Sequence, residues 1–103
     1  METDFHVTVD QQTGRCSVEL SGELDLASAH RLRAVLVQLS PGTVDMDVSK
    51  VTFVDSSGLA VIVAAHKRVS HLGGTLRVIG ATGVVRRVFE LTGLAFLLAE
   101  PGA

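Results

Sequence analysis

Val44-Asp45-Met46-Asp47-Val48-Ser49, and then Val54-Asp55-Ser56-Ser57-Gly58-Leu59, are the stretches that decide the architecture. In the first, apolar and polar residues alternate, the period of a strand with one buried face. After a short extended piece ending at Val54 the period lengthens. Leu59, Ile62, Val63, His66 and Val69 then fall on one face of a helix predicted over 57–71, which Gly73-Gly74 closes. A strand therefore feeds directly into a helix.

The same grammar extends outward. Upstream, Phe5, Val7 and Val9 alternate with His6 and Thr8, and Gln11-Gln12-Thr13-Gly14 reads as a turn. Cys16, Val18 and Leu20 then alternate with Ser17, Glu19 and Ser21, completing an opening hairpin. Over 26–39, Leu32, Val35, Leu36 and Leu39 take helical spacing, with Asp25 where an N-cap belongs and Ser40-Pro41-Gly42 as the stop. Downstream, 76–79 reads as a strand and 82–92 as a helix with Val85, Val88 and Phe89 inward. Residues 95–98 form a last short strand or a packed tail.

The order is β-β-α-β-α-β-α-(β). Helices between strands imply parallel crossovers after the hairpin. Alternating strands imply a sheet covered on one face only, since sheets covered on both read as unbroken apolar runs. The expectation is an α/β fold: a mixed sheet of four to five strands, an N-terminal hairpin, and helices mainly on one face. No repeat or linker interrupts the chain, so residues 1–103 are expected to form one domain.

Composition narrows the function classes. The chain is 47% hydrophobic and 19% charged, ordinary globular material. Its four aromatic residues are all Phe, which disfavours stacking platforms for bases. A net charge of -2 leaves no electrostatic footprint for nucleic acid. One Cys excludes an internal disulfide. The longest aliphatic stretch, 59–65, is far short of a membrane span, and Met1 is followed by acids rather than a signal peptide, so a cytoplasmic setting without membrane insertion is expected. The small net charge hides an asymmetry. Residues 1–55 hold nine acidic and four basic side chains, a balance of -5, whereas residues 56–103 hold two and five, a balance of +3. The sign changes between Asp55 and Ser56.

Catalytic and metal-binding constellations are not expected. His6, His30, His66 and His71 lack metal-ligand spacing, and Cys16 reads as a small core residue. Gly80-Ala81-Thr82-Gly83 reads as a turn and helix start rather than a phosphate loop. No metal, no cofactor and no enzymatic activity are predicted.

Asp55-Ser56-Ser57-Gly58 bears two readings. One hydroxyl or the Asp carboxylate caps the helix, worth about 1 kcal/mol. That accounts for one such residue, but not for three in a row followed by Gly58, which costs about 1 kcal/mol relative to Ala in a helix. Alternatively, a phosphate on a serine here is tolerated by the helix N-terminus and adds about -1.5 to -2 charge beside Asp55, a binary switch on an unchanged domain. Ser21-Gly22-Glu23-Leu24-Asp25 also follows a strand and opens a helix. Gly22 reads as a turn, Asp25 as an N-cap and Glu23 as an exposed acid. Both loops are expected at one sheet edge, gathering Glu23, Asp25, Asp55 and two serines.

Gly22-Glu23-Leu24-Asp25, followed by Asp55-Ser56-Ser57-Gly58-Leu59, Gly73-Gly74, and Val85-x-x-Val88-Phe89-x-x-Thr92-Gly93-Leu94, resembles the STAS domain of bacterial anti-sigma factor antagonists across nearly the whole chain. The resemblance implies a partner switch in transcription regulation. The unphosphorylated antagonist would bind an anti-sigma factor that is an ATP-dependent serine kinase, releasing the sigma factor. Phosphorylation would switch it off, and a PP2C-type phosphatase would restore it. By position the acceptor is Ser56, with Glu23, Asp25, Asp55, Ser57 and Gly58 as partner-binding residues. Many members carry a further helix after the last strand, with no counterpart expected in residues 99–103. The alternative is a structural STAS subunit of a membrane transport complex with no phospho-switch.

Overall fold

The computed structural model of the chain describes residues 5–40 and 42–100. In chain order the elements are β1 (His6–Gln12), β2 (Arg15–Leu24), α1 (Leu26–Leu36), β3 (Thr43–Val54), α2 (Ser56–His71), β4 (Thr75–Ile79), α3 (Gly83–Leu91), a 3₁₀ turn (Ala95–Leu97) and β5 (Leu98–Ala99). The five strands lie side by side in sequence order. β1 and β2 are antiparallel and every later pair is parallel. Crossovers of one hand stepping in one direction deliver the three helices to the same face. Burial agrees: Cys16, Val18, Leu20, Val44, Met46, Val48, Leu76 and Val78 point into one core with Leu32, Ile62 and Phe89 from the helices. Their strand neighbours Arg15, Ser17, Glu19, Asp45 and Arg77 occupy the other, uncovered face. The expected mixed, one-sided α/β sheet is what forms.

β3 is one strand of twelve residues where alternation suggested a strand and a separate extended piece. The reason lies in its pairing with β2. Glu19 faces Asp47, but Ser21 faces Lys50; Gly22 faces Val51, but Glu23 faces Phe53. β3 thus carries an extra residue at two bulges, and its buried side chains step from Val48 to Val51 to Val54. Gly22, read as a turn, sits within β2 at φ 95°, beside the second bulge. The strand runs on to Leu24.

Two helix ends are set locally. α1 stops at Leu36, short of the predicted 39, because the chain tightens: Gln38 N–H donates to Val35 and Leu39 N–H to Leu36. Leu39 is nonetheless buried. Of the expected stop at Ser40-Pro41-Gly42, Pro41 lies outside the described residues. α2 closes as expected, in a Schellman arrangement in which Gly74 N–H reaches the Val69 carbonyl (2.8 Å) and Gly73 N–H that of Ser70 (3.0 Å).

Candidate functional site

The parallel ladder brings the ends of β2 and β3 together. Leu24 pairs with Val54, and the Asp55 N–H continues the ladder by donating to the Leu24 carbonyl at 3.1 Å. Each strand then opens a helix one residue later. The two acidic loops therefore lie side by side.

Asp25 is the N-cap of α1 in extended conformation, and its Oδ1 accepts from Ser28 N–H at 3.1 Å. Ser28 completes a reciprocal box: its Oγ accepts from Asp25 N–H at 2.8 Å and donates to the Glu23 carbonyl at 2.7 Å. The Ser28 backbone N–H, and next its hydroxyl, hold the Asp25 carboxyl below its ordinary range. Ser28 is buried, and its residue type alone does not announce this role. The visible signal was its place three residues after an N-cap, where a box partner stands.

Asp55 caps α2 in the same conformation, with Oδ1 accepting from Ser57 N–H (2.9 Å) and Gly58 N–H (3.1 Å). Ser56 is the first helical residue and is exposed, and its hydroxyl has no hydrogen-bond partner among the described residues. Ser57 is half-buried behind it. Gly58 is buried: a Cβ there would stand 2.5 Å from Leu24 Cγ and 3.0 Å from the Leu24 carbonyl oxygen. Close packing of α2 on β2 thus accounts for the glycine that capping left unexplained. The surface of the patch consists of exposed Glu23 and Ser56 with half-buried Asp25, Asp55 and Ser57.

Sequence reasoning also missed two apolar residues beside this patch. Leu26, directly after Asp25, is 61% exposed, and Phe53, which faces Glu23 in the ladder, is 45% exposed. Both are large side chains left in water next to a charged loop, a common composition for a binding surface. Phe53 was concealed because the second β3 bulge turns it outward.

The site offers an exposed hydroxyl on a helix N-terminus, where free N–H groups and the macrodipole favour negative charge. Among the described residues no group of three or more His, Cys, Asp and Glu side chains could hold a metal. Cys16 is buried away from the patch, and burial, then Asp10, pushes its thiol up. His66 is half-buried with its ring edge-on to Phe96 at 5.4 Å. Thr82 takes the N-cap position of α3 without a side-chain capping bond. No described helix is long and apolar enough to cross a membrane.

Comparison with known proteins adds four findings. The family described as "Mlab, STAS domain" matches residues 7–99. The anti-sigma-B factor antagonist of Bacillus subtilis (strain 168) is 34% identical over 93 residues, covering 88% of this chain and 85% of the relative. Among solved structures, an anti-sigma factor antagonist from Mycobacterium paratuberculosis superposes with a TM-score of 0.82 at 26% identity, covering 97% of this chain and 87% of that one. The unphosphorylated form of the anti-sigma factor antagonist SpoIIAA gives the same TM-score at 21% identity, over 92% and 87% of the two chains, a likeness of fold.

Proposed function

The chain belongs to the STAS-domain family, and from that premise we propose that it is an anti-sigma factor antagonist switched by phosphorylation of Ser56. It acts by binding rather than by catalysis. Unphosphorylated, the surface formed by Glu23, Asp25, Asp55, Ser56 and Ser57 docks on an anti-sigma factor and releases the sigma factor. Gly58 contributes beneath that surface by letting α2 approach β2. The partner is a serine kinase that uses ATP to phosphorylate Ser56, and a PP2C-type phosphatase removes the phosphate, all in the cytoplasm.

The observation that carries this reading is Ser56 itself: exposed, its hydroxyl without a hydrogen-bond partner among the described residues, and next to Asp55 at the start of α2. A phosphate there adds about -1.5 to -2 charge to a chain whose net charge is -2. The helix N-terminus accepts that charge, whereas a partner surface fitted to the neutral hydroxyl does not.

Two measurements test it. Incubation with the anti-sigma factor kinase and ATP adds one phosphate, located at Ser56 by peptide mass spectrometry. Equal labelling of Ser56→Ala would sink the site assignment. Ser56→Asp weakens binding to the anti-sigma factor in titration calorimetry, while its thermal midpoint stays within about 4 °C of wild type, the shift that roughly 1 kcal/mol produces. Copurification with a transporter ATPase, unaffected by Ser56→Asp, would favour a transport-complex subunit instead.

A further inference from the structure

The charge of the molecule is segregated by layer. α1 carries Arg31 and Arg33 and no acid; α2 carries Lys67 and Arg68 and no acid. The helix pair is thus strongly cationic on a chain whose net charge is -2. Between these two helices lies a half-open cleft of about 330 Å³. Its walls are apolar: Leu36 and Val37 from the end of α1, and a floor of small residues on α2 that includes Ala60 and Ala64. Ala60, Ala64 and Val37 are exposed, so the cleft presents apolar surface to solvent. Arg33 and Arg68 also line it. Arg68 Nη1 donates to the Leu36 carbonyl at 3.3 Å, which holds the guanidinium at the cleft with most of its five N–H donors unspent. Arg33 has no side-chain hydrogen bond, and neither arginine pairs with a carboxylate, among the described residues.

An apolar slot with two unpaired guanidinium groups selects one ligand chemistry: an aliphatic tail with an anionic head. Arginine suits a carboxylate because its planar fork donates two parallel hydrogen bonds. The volume is at the small end of small-molecule sites, enough for one chain but not for a two-chain lipid. We propose that the cleft between α1 and α2 binds a free, single-chain aliphatic carboxylate of medium length, with its tail on the alanine floor and its head on Arg33 and Arg68. Ser56 is not among the residues that line the cleft, although Ala60 at its near end stands one helical turn after Ser56 on α2.

The chain contains no Trp or Tyr, so a dansyl-labelled undecanoate can be followed without interference from protein emission. The probe binds the full chain saturably at one site and is displaced by decanoate but not by decyltrimethylammonium. The Arg33→Gln/Arg68→Gln protein loses affinity by about tenfold or more, the effect of one charge-assisted hydrogen bond. Ala64→Phe fills the slot and abolishes binding; circular dichroism checks its fold, and Ala60→Leu is the second blocking variant. The proposal is overturned by absence of saturable binding below the micellar concentration, by equal displacement with the cationic amphiphile, or by undiminished binding in both blocking variants. Two further results would also overturn it. Binding only to vesicles of anionic lipid would assign the face to a membrane surface. Binding only to an acidic amphipathic helical peptide would assign it to a protein partner.

Discussion

Gly58 shows how one absent methyl group can place a whole loop. Alanine is the better helix former by about 1 kcal/mol, so an exposed first-turn glycine would gain from substitution. Here the added Cβ meets Leu24, itself buried, and the Leu24 carbonyl that anchors Asp55 N–H. Overpacking of this kind costs about 1–3 kcal/mol. Gly58→Ala is therefore expected to lower stability in urea unfolding despite the propensity gain, and a stabilised variant would show that α2 can shift outward without cost. Ser28→Ala makes a complementary test on the other loop. It strips a buried partner from the Asp25 N–H and the Glu23 carbonyl, an expected loss of about 1–3 kcal/mol in the same assay. Both residues were poorly legible in sequence for one reason. Their roles depend on what stands opposite, Leu24 for Gly58 and the Glu23 carbonyl for Ser28, whereas Asp25 and Asp55 announce themselves by position before an apolar-periodic helix.

Elements were readable to the extent that their periodicity stayed unbroken. α2, predicted over 57–71, forms over Ser56–His71 because its apolar face and its glycine stop are both local signals. Alternation alone splits β3, because two bulges reset which side chains face the core and nothing in Ser49-Lys50 or Thr52-Phe53 by itself indicates an extra residue. The adjacency of the two acidic loops could be inferred, since parallel neighbouring strands that each open a helix must end at one edge. The α1–α2 cleft could not, because it depends on where two helices diverge. The α2 stop offers a test of which constraint sets an element's end. Gly73 takes φ 87° with open space where a Cβ would go, so Gly73→Ala costs only the backbone term, about 1 kcal/mol. At Gly74 the Cβ would strike the Gly42 backbone, so Gly74→Ala should lower the urea midpoint further than Gly73→Ala does. The reverse order would make backbone conformation, not the approach of the two turns, the dominant constraint.

At the scale of the whole molecule, the uncovered face of the sheet must remain folded in water without helices upon it, and charge does part of that work. Asp45 in central β3 accepts from Arg77 Nε at 2.8 Å through Oδ1 and from Arg15 Nη2 at 3.1 Å through Oδ2, tying β2, β3 and β4 together. The hydrogen bond from Arg77, then that from Arg15, outweighs burial and holds the Asp45 carboxyl below its ordinary 3.8; the same bond raises Arg77. Asp25 is lowered as well, by Ser28. In both cases the unfolded chain takes up the proton at higher pH than the folded one. Their contribution to stability is thus complete above the ordinary carboxylate range and is lost as pH falls below 3.8 through the folded-state values. Chemical unfolding between pH 7 and 2.5 should show stability declining on the acid side. Asp45→Asn should be less stable at pH 7 and should decline more shallowly, retaining only the part that Asp25 and other carboxylates supply. Wild-type and Asp45→Asn curves that run parallel across that window would mean the Arg15–Asp45–Arg77 bridge is screened by solvent. Cohesion of the open face would then rest on the ladder hydrogen bonds and the core beneath it.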